Sequence, residues 1–374
     1  MRAMSRSVKP VKVAVLGSGS WGTTFAKVLA DGGADVTMWA RRPELAREIT
    51  EARRNSDYLP GINLPKLQAT AVLETAVRGA QHVFISVPSQ RLRENLVALE
   101  QYVPPTATIV SLMKGVEQAT FMRMSQVIAD VLPIDPARIA VVSGPNLALE
   151  IAKEQPTAAV VASTSLETAT AVAMLARNRY FRSFVTTDVI GTEFGGILKN
   201  LIAVAIGIAD GAGFGANTQA SIITRGLVEM TDFAVASGGE AITLSGLAGL
   251  GDLIATCQSP LSRNNTAGRL LGQGYRLEDV TRQMNQTTEG LSSVGPVLEL
   301  AKALGVDMPI VEQVRQVLAG TLQPTELAPH LTTDDEPTSE RAGDDTASSS
   351  AALWRSVKRA FHQLRNGGRG PLGD

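Results

Sequence analysis

The sequence predicts an α/β domain built on a doubly wound parallel sheet, followed by an all-α domain. Three observations favour this fold class. The chain has 374 residues, more than a single hydrophobic core usually supports. Its first half alternates short apolar runs with helix-length segments, as parallel strands and their crossover helices do. Beyond about Thr187 the β-branched runs stop, and long segments rich in Ala, Leu, Gly and Glu follow.

The predicted strands are nearly continuous apolar runs, as expected for strands that are buried on both faces. They are KVAVLG (12–17), DVTMWA (35–40), HVFISV (82–87), ATIVSL (107–112) and RIAVVSG (138–144). Helices are predicted between them, for example over 21–31 and 90–100. In the second half the pattern predicts helices over 193–210, 218–237, 266–273, 277–285, 292–304 and 310–320.

The domain boundaries follow from these patterns. We expect a flexible N-terminus over 1–10, the sheet domain over 11–188 and the helical domain over 189–330. From 331 to 374 we expect a disordered linker and a basic tail helix, because TTDDEPTSERAGDDTASSS has almost no apolar residue and LWRSVKRAFHQLR has an amphipathic pattern. The tail could bind a surface or a partner, but a solvated helix without a catalytic role is the favoured interpretation.

Composition narrows the function classes. Hydrophobic residues make up 44% of the chain, charged residues 19%, and the net charge is −1, so no general basic surface for nucleic acid is expected. A single cysteine, Cys257, and no signal-peptide pattern favour the cytoplasm. Lys199 interrupts the most apolar run, which argues against membrane insertion. Three scattered histidines and no G-x-S-x-G motif argue against a metal site and a serine hydrolase.

A glycine-rich turn directly follows the first predicted strand. The sequence GSGSWG places Gly17, Gly19 and Gly22 in the G-x-G-x-x-G spacing. The first glycine permits a tight turn, the second lets a pyrophosphate approach the backbone, and the third allows close packing of helix on strand. A plain turn is the alternative, but the strand before it, the helix after it and the second strand at the right distance favour a Rossmann-type dinucleotide site.

Two arginines stand where NAD-binding proteins of this type usually have an acid. WARRPE follows the second predicted strand and contains Arg41 and Arg42. Guanidinium groups bind phosphate in a bidentate manner, so this pair favours the 2′-phosphate of NADP(H), with NAD(H) as a second cofactor. An ordinary solvated loop is the alternative interpretation.

The helix predicted over 193–210 contains one charged residue between its terminal acids, Lys199. Its neighbours one and two turns away are mostly small, including Gly195, Gly196, Ala203 and Gly207. This face leaves room for close approach by a ligand or by another helix. A lysine that reaches solvent along its stem is the simpler alternative.

Other polar residues could lie near this lysine. Lys114, in SLMKGVE, and the pair Gly144 and Asn146, in SGPN, follow predicted strands at the sheet edge where ligands bind. In the helical half, GLAGLGD ends at Asp252, and SRNN supplies Ser262, Arg263, Asn264 and Asn265. An arginine beside amides and a hydroxyl suits a phosphate ester, although SRNN alone could be a helix cap.

Together these segments resemble the bacterial NAD(P)-dependent glycerol-3-phosphate dehydrogenases. Nine motifs stand in that family's order: GSGSWGTTFA, YLPGINLP, SVPS, MKGVE, SGPN, EFGGILKN, GLGDLIATC, SRNN and TTEG. The resemblance covers about residues 11–322 and implies reversible hydride transfer between NADPH and dihydroxyacetone phosphate. The product, sn-glycerol 3-phosphate, would supply phospholipid synthesis.

The resemblance also implies site residues. Lys199 is similar to the family's catalytic lysine, with Lys114 and Asp252 near the reacting carbonyl. The implied substrate-binding residues are Lys114, Gly144, Asn146, Lys199, Asp252, Ser262, Arg263 and Asn264. The implied cofactor-binding residues are Gly17, Gly19, Ser20, Trp21, Gly22, Arg41, Arg42, Lys114, Ala148, Arg263, Thr287 and Glu289, and no metal is implied. Asn146 stands where many members have Ser or Thr, and Thr287 where valine is common.

Two alternatives remain at this point. A related reductase of the β-hydroxyacid or ketopantoate type would share the sheet domain and a helical lysine, but it would not need a phosphate pocket. A non-catalytic NADP-binding sensor, with the tail as its interaction element, belongs to a different class. The expected partner is a small-molecule substrate, and the sequence is compatible with a homodimer.

Overall fold

The computed structural model describes residues 9–284 and 289–327, which lie in one compact unit, Met1–Ala328. Thr287 and the predicted linker and tail helix lie outside the described residues. The predicted boundary between 188 and 189 stays a prediction, although a long helix begins at Val189.

An eight-stranded sheet organises the first half of the described chain. Its strand order is β3-β2-β1-β4-β5-β6-β7-β8, and every neighbouring pair is parallel except β6 and β7, which are antiparallel. The first six strands have the order of a Rossmann sheet, so the predicted fold class is confirmed. The strands are β1 Lys12–Leu16, β2 Asp35–Trp39, β3 Gln68–Thr70, β4 His82–Ile85, β5 Thr108–Ser111, β6 Ile139–Ser143, β7 Thr157–Ala162 and β8 Phe181–Thr186.

Both faces of the sheet are covered, which explains the continuous apolar runs. In β1, Val13 and Val15 belong to one buried cluster with Phe25 of the first helix. The intervening Ala14 and Leu16 belong to a second cluster on the other face. The helices of this half are α1 Ser20–Asp31, α2 Pro43–Arg47, α3 Leu73–Val77, α4 Leu92–Leu99, α5 Met124–Val131, α6 Ala148–Ala152 and α7 Leu166–Leu175.

The second half is helical, as predicted. Its helices are α8 Val189–Gly211, α9 Ala216–Ala236, α10 Ala241–Leu244, α11 Asp252–Gln258, α12 Arg263–Gly272, α13 Leu277–Gln283, α14 Glu289–Leu304 and α15 Pro309–Ala319. Helix α8 is its central element, and every residue from Gly191 to Ala209 is buried. A third hydrophobic cluster, which includes Leu198, Leu201 and Phe233, surrounds it.

The small residues of α8 allow close helix packing. A Cβ at Gly207 would lie 2.2 Å from the backbone oxygen of Asn265, and one at Gly268 would lie 2.2 Å from that of Val204. A Cβ at Gly195 would lie 2.4 Å from the backbone oxygen of Ala248. The sequence left open whether a ligand or another helix approaches the small-residue face of α8. At Gly195 and Gly207 the structure places protein backbone against this face.

Two spans among the described residues are long and apolar enough to cross a membrane by length and composition, α8 and Ala241–Gln258. Lys199 therefore does not by itself exclude α8 as a span by length and composition. Within the structure, however, 89% of the most apolar window of α8 is buried, and 39% of the other window. Burial by the surrounding helices identifies α8 as a core helix.

Candidate active site

The glycine-rich loop between β1 and α1 has the geometry that its spacing predicts. Gly17 has φ +112°, and a Cβ there would lie 2.2 Å from the backbone oxygen of Ser86. A Cβ at Gly22 would lie 2.2 Å from the oxygen of Gly17. Gly19 precedes the first residue of α1 and has no atom within 4 Å of its Cβ position. The loop therefore leaves open space at the helix N-terminus, which fits the pyrophosphate of a dinucleotide.

Side chains around this loop hold its shape. Asn55, which is fully buried, donates from Nδ2 to the backbone oxygen of Ser18 at 2.9 Å and to Oγ1 of Thr23 at 2.7 Å. Ser20 donates to the oxygen of Tyr58 at 2.9 Å, and Trp21 donates to the oxygen of Leu112 at 3.1 Å. Asn55 is not predicted from the sequence, because a polar residue in a highly charged loop has no periodic signal.

The two arginines lie directly after β2, where the sequence placed them. Both are exposed, and Arg42 forms a close ion pair with Asp57 and a longer one, of 3.8 Å, with Glu44. The hydrogen bond that the Arg42 guanidinium donates to the carboxylate of Asp57 is the main cause that raises the pKa of Arg42. The strand end itself carries no acid, but the fold brings one from a loop fifteen residues further along the chain.

A buried cluster of two lysines and one aspartate lies at the carboxyl end of the sheet. The side-chain nitrogen Nζ of Lys114, in the loop after β5, donates to Oδ2 of Asp252 at 2.5 Å and to the oxygen of Gly144 at 3.0 Å. Nζ of Lys199, on α8, lies 3.0 Å from Oδ1 of Asp252 and donates to Oγ1 of Thr256 at 2.6 Å. One carboxylate thus bridges ammonium groups from both halves of the chain.

Burial determines the proton affinity of this cluster. Lys199 is 6% exposed and Asp252 is 1% exposed. The pKa of Lys199 is lowered to about 8, mainly because desolvation disfavours the ammonium; the charge of Asp252 raises this pKa and the charge of Lys114 lowers it. Lys199 can therefore exchange a proton near neutral pH. It does not extend along its stem to solvent.

The turn after β6 forms the next part of the site. Gly144 has φ +116°, and its backbone oxygen accepts the bond from Lys114. The side-chain amide of Asn146 is enclosed, and neither its oxygen nor its nitrogen has a hydrogen-bond partner. At the start of α6, the oxygen of Ala148 accepts a bond from Thr24 of α1 at 3.2 Å. The turn thus leaves one amide unsatisfied two residues after Gly144, whose oxygen accepts the bond from Lys114.

The SRNN segment begins helix α12. Oγ of Ser262 accepts a hydrogen bond from the backbone nitrogen of Asn265 at 3.2 Å. Ser262 therefore caps the helix, which was the alternative interpretation of SRNN from the sequence. Oδ1 of Asn264 accepts from the backbone nitrogen of Gly290 at 3.1 Å. Arg263 is exposed.

Glu289 links the start of α14 to the sheet half. Its Oε1 accepts from the backbone nitrogen of Ser89 at 3.3 Å. Burial raises its pKa, whereas the bond from Ser89 and the nearby charge of Arg263 lower it. Glu289 and Arg263 therefore lie near one another, while Thr287 is outside the described residues. Among those residues no group of three or more His, Cys, Asp or Glu side chains could hold a metal ion.

An open glycine-rich loop after β1 and a buried lysine of lowered pKa at the carboxyl end of the same sheet are the features of a nicotinamide-dependent dehydrogenase with a sheet half and a helical half. Comparison with known proteins gives the family. The chain belongs to the NAD-dependent glycerol-3-phosphate dehydrogenases, since the N-terminal model of that family matches residues 12–169 and its C-terminal model matches residues 188–329.

Curated relatives agree with this family. A glycerol-3-phosphate dehydrogenase [NAD(P)+] from Leifsonia xyli subsp. xyli is 69% identical over 361 residues, which are 95% of this chain and 98% of the relative. The protein of the same description from Thermobifida fusca is 53% identical and covers 84% of this chain and 94% of its own length.

Solved structures are similar over the same region. Glycerol-3-phosphate dehydrogenase from Coxiella burnetii has a TM-score of 0.81 at 34% identity and covers 86% of this chain and 99% of its own. A ketopantoate reductase from Ralstonia eutropha has a TM-score of 0.53 at 19% identity, with coverage of 83% and 99%, and shares only the fold.

Proposed function

We propose that the protein catalyses the reversible, NADPH-dependent reduction of dihydroxyacetone phosphate to sn-glycerol 3-phosphate for phospholipid synthesis. The observation that supports this most directly is the buried ammonium of Lys199, held by Asp252 and Thr256 at the carboxyl end of the sheet. Membership of the glycerol-3-phosphate dehydrogenase family supports the substrate and the type of reaction.

Lys199 is the proposed proton donor in reduction and the proton acceptor in oxidation. The nicotinamide, when bound, supplies or accepts the hydride. As negative charge develops on the carbonyl oxygen of the substrate, the ammonium of Lys199 stabilises it and transfers a proton. A pKa of about 8 suits both directions, because both protonation states are populated near neutral pH.

Asp252 and Lys114 prepare this proton transfer. The carboxylate of Asp252 keeps the buried ammonium of Lys199 charged and fixes its position together with Thr256. Lys114 bonds to the other carboxylate oxygen and to the backbone of Gly144, so its charge also lies at the proposed carbonyl site. Two ammonium groups near the same point favour an oxyanion over a neutral carbonyl.

The phosphate of the substrate is proposed to bind at the start of α12. The guanidinium of Arg263 and the amide nitrogen of Asn264 are suitable donors, and Oδ1 of Asn264 is already oriented by Gly290. Ser262 both caps the helix and carries a hydroxyl that can donate to phosphate. Gly144 and the unsatisfied amide of Asn146 are proposed to contact the substrate hydroxyls.

The proposed cofactor is NADP(H), with NAD(H) also accepted. Gly17, Gly19 and Gly22 leave the space for its pyrophosphate. Arg41 and Arg42 are proposed to bind the 2′-phosphate. The remaining proposed cofactor contacts are Ser20, Trp21, Lys114, Ala148, Arg263 and Glu289. A cytoplasmic location and a homodimer stay predictions from the sequence.

The deciding experiment follows NADPH absorbance in the presence of dihydroxyacetone phosphate. We expect oxidation by the wild-type protein and by Lys302→Ala, which removes an exposed lysine in the helical half. Lys199→Ala should lose turnover by about a thousandfold or more while it still binds NADPH. Folded wild-type protein that oxidises no NADPH would refute the proposal, and turnover of ketopantoate or a β-hydroxyacid instead would support the related reductases.

A further inference from the structure

Asp57 lies beside the proposed 2′-phosphate site although it is far from β2 in sequence. After α2, a π-helical turn, Glu48–Ala52, ends at Arg53, which has the left-handed φ of +51°. The chain then reverses, and the carboxylate of Asp57 meets the guanidinium of Arg42. Arg42 is the residue directly before α2 and lies three positions after Trp39, the last residue of β2.

This position has a defined chemical role in dinucleotide-binding sheets. The adenosine ribose lies near the end of the second strand, where NAD-binding proteins present a carboxylate to the ribose hydroxyls and NADP-binding proteins present an arginine to the 2′-phosphate. Here both groups are present, and they are bonded to each other. The carboxylate comes from a loop, so the motif spacing in the sequence does not reveal it.

We propose that Asp57 is a specificity-determining residue that gives the protein its use of NAD(H) beside NADP(H). With NAD(H), the carboxylate of Asp57 accepts a hydrogen bond from a ribose hydroxyl and stays paired with Arg42. With NADP(H), the 2′-phosphate replaces Asp57 as the partner of Arg42, and the carboxylate moves away. This inference rests on the proposed function, whose cofactor preference it refines.

The exposure of the pair makes such an exchange inexpensive in free energy. The Arg42 side chain is 45% exposed and the Asp57 side chain is 54% exposed. Ion pairs that are this open to solvent contribute little to stability, so a doubly charged phosphate can displace the carboxylate. The displaced carboxylate remains nearby and repels the phosphate, which reduces the preference for NADP(H).

The experiment measures dissociation constants of NADP+ and NAD+ by titration calorimetry for the wild type and Asp57→Asn. We expect NADP+ to bind about three- to tenfold more tightly to the variant, because the 2′-phosphate no longer has to displace a carboxylate from Arg42 and because a repelling charge is lost. We expect NAD+ to bind about two- to fivefold more weakly, because a neutral amide is a poorer acceptor. In an Arg42→Ala background, Asp57→Asn should no longer tighten NADP+ binding through Arg42, so its gain should shrink to less than about twofold.

Glu44→Gln is the matched control, because it removes the same charge from a carboxylate 3.8 Å from the same arginine. Its dissociation constants should stay within about twofold of the wild type. An unchanged ratio of the two constants in Asp57→Asn, or an equal change in Glu44→Gln, would overturn the inference. If the ratio shifts as expected but the wild type does not reduce dihydroxyacetone phosphate, the proposed function fails and the role of Asp57 stands.

Discussion

Replacing Asp252 with asparagine should move the pH dependence of ketone reduction to lower pH. The substitution keeps the shape of the side chain but removes a negative charge 3.0 Å from Nζ of Lys199 and 2.5 Å from Nζ of Lys114. At that separation, with an effective dielectric constant of about 20, the lost attraction is about 5 kcal/mol. Since one pKa unit corresponds to about 1.4 kcal/mol, the pKa of Lys199 should fall by about two to four units once the pocket has relaxed.

The wild-type pKa of Lys199 is about 8, so in the variant it should lie near 5. At pH 7 only about 1% of the amine would then be protonated, and reduction of the ketone should slow about a hundredfold.

The assay is a pH profile of kcat/KM for dihydroxyacetone phosphate. In the wild type the rate of reduction should fall above about pH 8, as Lys199 loses its proton. In Asp252→Asn the same decrease should begin at least about two pH units lower. An unshifted profile in folded protein would refute the assignment of Lys199 as proton donor or of Asp252 as the group that sets its pKa.

Removal of one partner of a buried ion pair lowers the free energy of unfolding by about 3–5 kcal/mol. The folding of Asp252→Asn must therefore be checked by circular dichroism and NADPH binding. Thr256→Val is a milder second variant, since it removes the acceptor of the 2.6 Å bond from Lys199 without a change of charge. It should lower the pKa by less than about one unit and shift the profile in the same direction.

Three other predictions concern the two arginines after β2, the glycine-rich loop after β1 and the buried Glu229. Arg41→Ala with Arg42→Ala should raise the KM for NADPH at least about tenfold more than that for NADH, and an equal increase would exclude a 2′-phosphate contact. Gly19→Ala should weaken calorimetric NADPH binding about tenfold with an unchanged melting temperature, because its Cβ position faces open space; a lowered melting temperature would contradict this. Burial raises the pKa of Glu229 from 4.5 to about 7, so the protein binds more protons when folded and loses up to about 3 kcal/mol of stability as pH rises from 4.5 to 7. Urea titrations at pH 5 and 7.5 should show this loss in the wild type and not in Glu229→Gln, and a loss of equal size in both would rule it out.

The sequence predicted the elements whose local pattern decides their structure. The runs that became β1, β4, β5 and β6 are buried on both faces, so they are continuously apolar, whereas β2 alternates buried Val36 and Met38 with partly exposed residues. Strand β8 was missed because it lies at the sheet edge, with Phe184 and Val185 exposed, and its sequence lacks that pattern. Strands β7 and β3 were also missed, because β7 is rich in alanine and β3 has only three residues.

The site was predictable wherever a motif fixes a backbone position. The motifs placed Lys114, Lys199 and Asp252 on three separate elements, and the structure brings their charged groups together. Asn55 and Asp57 were not predictable, because their contacts depend on the path of a loop between β2 and β3. Loop residues do not recur at the period of a helix or a strand, so a single sequence does not reveal which distant residues they contact.

The glycine contacts between α8 and α12 have a consequence for mutational studies. Gly207, Gly211, Gly268 and Gly272 each face backbone atoms 2.2 Å from where a Cβ would stand. Any side chain there would move α8, which carries Lys199, relative to its neighbour. A survey that scores only cell growth would therefore rank these glycines with Lys199, the proposed proton donor, and only separate measurements of protein abundance and turnover would tell the two kinds of position apart.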